Sequence, residues 1–294
     1  DVYKRQPQIL SILIPNFRLP RLITILSAGI ALSLSGFIIQ NVTENPLADS
    51  GTIGITSGAS AGSVAFLLIA DHFKLTGLWN FSYPIFALIG ALLSFVLIYF
   101  FALRKQVSSV RVLLTGIAIT AFFQALITIG QLSVNAFDFQ KVAVWLSGDI
   151  WQTGTTYLII CILLLVIGLI ILPFFLKKLE ILSLGEEMAT VLGLDVPKTK
   201  IYLYLLALLF AAVGVLLVGG LAFVGLIAPH IAREIVGFKS RKSLIATALS
   251  GMIILSFADI ISQMIIAPSS LPLGFVVAFI GAPYLSLIHI SEPT

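Results

Sequence analysis

The chain is poor in charge. Only 10% of its 294 residues are Asp, Glu, Lys or Arg, where a soluble domain carries roughly 25%. A single water-soluble core is thereby excluded. There is one cysteine, Cys161, in the middle of an apolar run. One thiol cannot form an internal disulfide, and it reads as a small apolar residue. The three histidines, His72, His230 and His289, lie far apart in sequence, with no spacing that resembles a metal site. No phosphate loop of the form G-x-x-x-x-G-K-[ST] occurs, so the chain does not hydrolyse ATP by that route alone. No signal peptide is expected before the first apolar run. The start, Asp1-Val-Tyr-Lys-Arg-Gln6, lacks an initiator methionine, and residues 286–294 turn polar inside an apolar stretch. Both ends, 1–6 and 286–294, read as truncation or cloning scars.

What is abundant is hydrocarbon. Hydrophobic residues make up 59% of the chain, and the mean hydropathy is +1.11. They come in blocks of about 20 residues, the length that crosses a bilayer. Nine such blocks fall at 22–40, 53–70, 83–103, 112–132, 157–176, 201–218, 221–236, 244–266 and 273–288. The reading is an all-α integral membrane protein, a polytopic helix bundle forming one domain over 1–294. The seventh block is short and is broken by Gly225 and Pro229. The isoelectric point near 9.2 does not imply nucleic acid, because the basic residues sit between the apolar blocks.

Charge also sets the orientation, since cytoplasmic loops are rich in Lys and Arg. Alternation through nine spans puts Arg104, Lys105, Arg111, Lys177, Lys178, Lys198, Lys200, Arg233, Lys239, Arg241 and Lys242 on one side. These are eleven of the 17 basic residues. The opposite loops near 71–82 and 133–156 hold only Lys74 and Lys141. Arg18 and Arg21 break the rule, because they open the first span on the outer side. They read either as headgroup anchors or as a positive patch for an acidic partner.

Four segments are candidates for function. Gly54, Gly58 and Gly62 recur every four residues and are expected to line one helix face as a packing seam. The polar inner stretch 180–196 is expected to form a short amphipathic helix. Ser183 is its expected cap through Glu186 or Glu187, Met188, Val191 and Leu192 its apolar face, and Gly193 its end. Such a helix lies on lipid or fills a partner's groove. The acidic residues beside its apolar face favour the groove. The segment Gly219–Arg233 is a span with a built-in break, which is tolerated only where protein or a water-filled cavity covers the backbone. There His230 reads as a proton carrier or as a donor to the carbonyls freed by Pro229. Asp259, an acid inside a span, reads as a proton relay or as an interhelical hydrogen bond near Gln263.

Nine pieces, in order, carry a resemblance. They are Arg18-Leu-Pro-Arg21; Gln40 with Asn45-Pro46-Leu47-Ala48-Asp49; Gly54 with Ser57-Gly58-Ala59; Leu113-Leu-Thr-Gly116; Trp145-Leu-Ser-Gly148; Leu182-Ser-Leu-Gly-Glu186 with Ala189 and Leu192-Gly193; Phe223-Val-Gly-Leu-Ile-Ala-Pro-His230 with Arg233; Ala258-Asp259; and Leu271-Pro-Leu-Gly274 with Gly281-Ala-Pro283. Over about 18–285 the chain resembles the FecCD permeases, subunits of ATP-driven importers for iron chelates, haem and cobalamin. The resemblance implies a cobalamin-importer-permease-like fold of ten spans, nine of them visible here, with the first helix missing. It implies a bacterial cell-membrane protein that pairs with a second permease subunit, two ATPase subunits and an extracytoplasmic substrate-binding protein. The permease itself is then no enzyme and binds no cofactor; ATP and Mg are used by the partner ATPase. Leu184, Gly185, Glu186, Ala189, Leu192 and Gly193 are implied to couple to that ATPase. Ser108, Ser109 and Val110 are implied to form the inner gate, and Arg18 and Arg21 to dock the binding protein. Gln263 stands where the family often has arginine, so its share of docking is a hydrogen bond at best.

The alternative is a secondary transporter driven by an ion gradient, with Asp259 and His230 carrying protons. The amphipathic stretch 180–196 favours the ATP-coupled importer. A pathway of Ser, Thr, Gly and apolar residues suits a metal that is already chelated, because a bare ion needs fixed oxygen or nitrogen ligands. Ferric siderophore is the first expectation, followed by haem and cobalamin.

Overall fold

The computed structural model describes residues 14–51, 53–72, 79–104, 109–133, 140, 143–150, 155–237, 240–266 and 269–291. All regular structure among them is helical. The helices are α1 (Leu19–Thr43), α2 (Ile55–His72), α3 (Trp79–Ile98), α4 (Ser109–Leu132), α5 (Thr155–Ile171), α6 (Pro173–Leu182), α7 (Glu186–Val191), α8 (Val196–Val218), α9 (Val224–Val236), α10 (Ser240–Ile265) and α11 (Leu273–Ser291). Short π-helical turns precede α1 and follow α3.

Each of the nine apolar blocks coincides with a helix, and the helices differ in length. Among the described residues, five helices are long and apolar enough to cross a membrane, and a sixth span results if α5 and α6 are counted together. That pair bends by 54° where Pro173 opens α6. The apolar stretches of α2 and α11, Ile55–Ile69 and Leu273–Tyr284, are shorter. The seventh block needs the largest correction. Its helix α9 has only 13 residues, about 20 Å at 1.5 Å per residue, against a hydrocarbon core of about 30 Å. Residues 219–223 are not helical, so α9 starts at Val224, packed beside the middle of its neighbour α1.

Helix α1 is the hub of the bundle. In its most apolar window 78% of residues are buried, and α8, α9 and α10 pack around it. Lipid tails are as apolar as leucine, so close backbone approach and hydrogen bonds hold such helices together. A Cβ added to Gly29 would lie 2.6 Å from the carbonyl oxygen of Gly251 in α10. Gly36 meets the backbone of Gly225 in α9 even more closely. Ser35 Oγ donates across to the carbonyl of Ala207 in α8 at 2.8 Å.

Two helices are largely uncovered, and their bare faces differ. On α10 the exposed row is Ile245, Leu249, Ile253, Phe257, Ile260 and Met264, all bulky and apolar. That is a face for lipid. On α4 the exposed face mixes Leu114, Ile117 and Phe122 with small Ala118, Ala121 and Ala125 and polar Gln124 and Thr128.

Candidate functional site

Three places concentrate the chemistry: the lysine-rich end, the opposite end, and the break in mid-bundle. At the lysine-rich end the bend at Pro173 turns the chain aside. Leu176, Leu179 and Leu182 of α6 face the core. Ser183 does not cap α7 as its spacing suggests. Its Oγ donates to the carbonyl of Glu180 at 2.7 Å, closing α6, and Gly185 stands at the N-cap of α7. Gly185 has φ +95°, a region that glycine enters without steric cost. Glu186 and Glu187 fill the first turn of α7, where the helix dipole favours acids.

Helix α7 ends in a Schellman motif. The amide of Leu194 donates to the carbonyl of Ala189 at 3.0 Å, and that of Gly193 to Thr190 at 2.9 Å. Gly193 supplies the left-handed residue, with φ +84°. Ala189 is fully buried, while Leu184, Met188, Val191 and Leu192 are exposed, Val191 to 82%. Asp195 then caps α8, its carboxylate accepting from the Lys198 amide at 3.2 Å. The Lys198 ammonium beside it holds that carboxyl below its usual range. Glu186 turns inward: its Oε1 accepts from Lys200 Nζ at 2.6 Å.

At the opposite end, Arg21 of α1 and Asp259 of α10 form an ion pair. Arg21 Nη2 lies 2.6 Å and Nε 3.1 Å from Asp259 Oδ1. Gln263, one turn along α10, donates to Oδ2 at 2.6 Å. The interhelical reading of Asp259 is therefore the one with geometry behind it, and arginine adds to it. Asp149 belongs to the same electrostatic neighbourhood. Burial pushes its carboxyl up, the Ile150 amide and Arg21 pull it down, and Asp259 pushes it up again. Arg18 is exposed at the close of the preceding π turn.

In mid-bundle, proline removes one donor and a distant side chain replaces it. Pro229 has no N–H, so the carbonyl of Gly225 lacks its helical partner. Gln40 Nε2 of α1 lies 3.4 Å from that carbonyl and 3.2 Å from that of Leu226. The residue that repairs the break is thus Gln40, not His230, whose ring meets Tyr284 edge-on at 5.8 Å. Tyr157 Oη donates to the Leu216 carbonyl at 2.7 Å, in the last turn of α8 before the break. Phe223 enters α9 with φ +72°, an uncommon conformation for a bulky residue.

The remaining sequence candidates are dispersed. Gly58 and Gly62 of α2 press on the backbone of Gly90 and Phe86 in α3. Gly54 is not on that helical face. It precedes α2 with φ +87° and packs against Gly116, Ile119 and Thr120 of α4. A spacing of four cannot distinguish a helical glycine from a turn glycine. Of the gate candidates, Ser108 lies outside the described residues, Ser109 opens α4, and Val110 is exposed. Sequence reasoning missed Tyr157, the function of Gln40, and the Glu186–Lys200 pair. Only Gln40 had a signal, the unpaired carbonyl four residues before Pro229.

Together these features define a multi-pass helical membrane protein with a short helix bearing exposed apolar side chains at its lysine-rich end. The chain belongs to the FecCD transport family, whose model matches residues 2–291. It is 38% identical to the iron(3+)-hydroxamate import system permease protein FhuG of Bacillus subtilis, over 92% of this chain and 81% of that one. It is 34% identical to the Fe(3+) dicitrate transport system permease protein FecD of Escherichia coli, over 92% and 82%. A solved metal-chelate type ABC transporter in an inward-facing conformation superposes with a TM-score of 0.84. That match has 25% identity and covers 98% of this chain and 91% of the other.

Proposed function

We propose that the chain is the permease subunit of an ATP-binding-cassette importer that carries a ferric siderophore or a similar metal chelate. The observation that carries the reading is α7. Four apolar side chains, Leu184, Met188, Val191 and Leu192, stand exposed on and beside a six-residue helix between two spans. Exposed apolar anchors at helical spacing fit a groove on a partner, and the partner proposed is an ATPase subunit. The mixed face of α4 supports a second subunit across the pathway, since the Gln124 side chain is poorly suited to lipid. The relatives named above are permeases for ferric hydroxamate and ferric dicitrate. A bacterial cell-membrane location and delivery by a binding protein belong to the same reading.

A proton-coupled mechanism is less well supported. Asp259 is engaged by Arg21 and Gln263, and His230 has a different neighbour, Tyr284. The test is co-expression with a cognate ATPase and binding protein in cells lacking their own importers. Uptake of labelled ferric hydroxamate, ferric dicitrate, haem and cobalamin is then measured. Uptake that stops with an ATPase inactive in hydrolysis supports the proposal. Uptake that continues without the ATPase, and collapses with a protonophore, overturns it.

A further inference from the structure

Helix α7 is held in an unusual way. It has six residues, and a glycine joint with positive φ stands at each end, Gly185 and Gly193. A Cβ added at either joint would meet nothing within 4 Å. Both joints are glycines, so no side chain packs there to stiffen the turn against a swing of the helix. Beside the backbone bonds that close its C-terminus, two side chains of α7 that are not exposed tie it to the bundle. One is the buried methyl of Ala189. The other is the ion pair from Glu186, the first residue of α7, to Lys200, the fifth residue of α8.

Lys200 is the unusual partner. Its side chain is only 2% exposed, whereas that of Glu186 is 41% exposed. Buried lysines are rare unless paired, and an ammonium taken out of water needs its counter-charge nearby. One turn further on, the fully buried Tyr204 lies within electrostatic reach of Glu186. Helix α8 is itself fixed to the hub: Ser35 of α1 bonds its backbone, and Gly214 receives Leu32 of α1.

We infer that Lys200 is a positioning residue: its buried ion pair with Glu186 locks α7 to α8, so that a load on α7 moves α8 rather than folding at the glycine joints. The inference rests on α7 being the ATPase docking helix. It gives Glu186 a different task from its neighbours. Glu186 faces inward as a strut, and the ATPase contact falls to Leu184, Met188, Val191 and Leu192.

The experiment uses the full complex of permease, ATPase and binding protein in lipid vesicles, in a Cys161→Ala background. Nitroxides on Glu187→Cys and Tyr202→Cys report how rigidly α7 is held against α8. A second readout is ferric hydroxamate taken up per ATP hydrolysed. Lys200→Met should broaden the spin-label distance distribution and cut uptake per ATP at least tenfold, with the ATPase still bound. Glu186→Gln, which keeps a neutral acceptor for Lys200, should do the same more weakly. The swap Glu186→Lys with Lys200→Glu should restore both readouts, which a general loss of stability would not allow. An unchanged distance distribution in Lys200→Met overturns the strut, whether or not the vesicles accumulate this chelate. An unchanged uptake ratio beside a broadened distribution overturns its part in coupling. Failure of the docking assignment is separate: the ATPase would then stay bound to a Val191→Asp permease.

Discussion

Val191→Asp is the sharpest single test of the docking face. Val191 is 82% exposed in the isolated chain, so it contributes little to the fold. Burying a valine or leucine side chain fully is worth about 1.5–3 kcal/mol. A groove that covers Val191 therefore gains about 2 kcal/mol from it, and an aspartate there forfeits that gain. A loss of about 2 kcal/mol weakens binding about 30-fold, at tenfold per 1.4 kcal/mol. Leu192→Asp, at 56% exposure, should act in the same direction and by a similar amount. Interface anchors are not strictly additive, so each is to be measured alone. The assay is titration of detergent-solubilised permease with labelled ATPase subunit, beside thermal unfolding of the permease by itself. The expected result is about 30-fold weaker association with unfolding within a degree or two of the parent. Association within threefold of the parent, at unchanged stability, would refute the groove. Equal losses of stability and association would refute the claim that Val191 is bare.

Three further outcomes are expected. Gln40→Leu removes the donor that serves the Gly225 carbonyl, and a buried carbonyl left unpaired costs about 1–3 kcal/mol; unfolding in detergent should show the loss, and unchanged stability would mean another donor serves Gly225. Arg21→Met leaves Asp259, whose side chain is 10% exposed beside a 27% exposed arginine, with Gln263 as its remaining donor; the loss should stay below the ~3–5 kcal/mol of a fully buried pair. The double change Arg21→Met with Asp259→Leu should recover most of that stability, and failure to recover would show that the pair is not the source. Arg18→Glu should slow capture of the binding protein most at low salt, where screening lengths reach about 30 Å at 0.01 M. An association rate independent of salt and of this substitution would make Arg18 a lipid anchor only.

The positions of the helices were legible because hydrocarbon comes in long runs, and each run became helix. Their depth was not. A run of apolar residues does not say where along a neighbour its helix begins, so α9 read as a span although Val224 starts beside the middle of α1. The breaks were also legible: Pro229, Gly225 and the polar stretch 180–196 each announced themselves in sequence. Their partners were not, because the pairings are long-range. Gln40 and Gly225 are 185 residues apart, and Arg21 and Asp259 are 238 apart. Lys200 is the instructive case. By composition it counted among the basic residues of a loop, yet it is buried in the second turn of α8. A charge-counting rule assigns such a residue to a side of the membrane without saying whether water reaches it. Inside a bundle the same physics then acts in reverse: each buried polar group demands a partner. A break or buried charge read from sequence is thus a question with a required answer, and Gln40, Asp259 and Glu186 are the answers that this fold supplies.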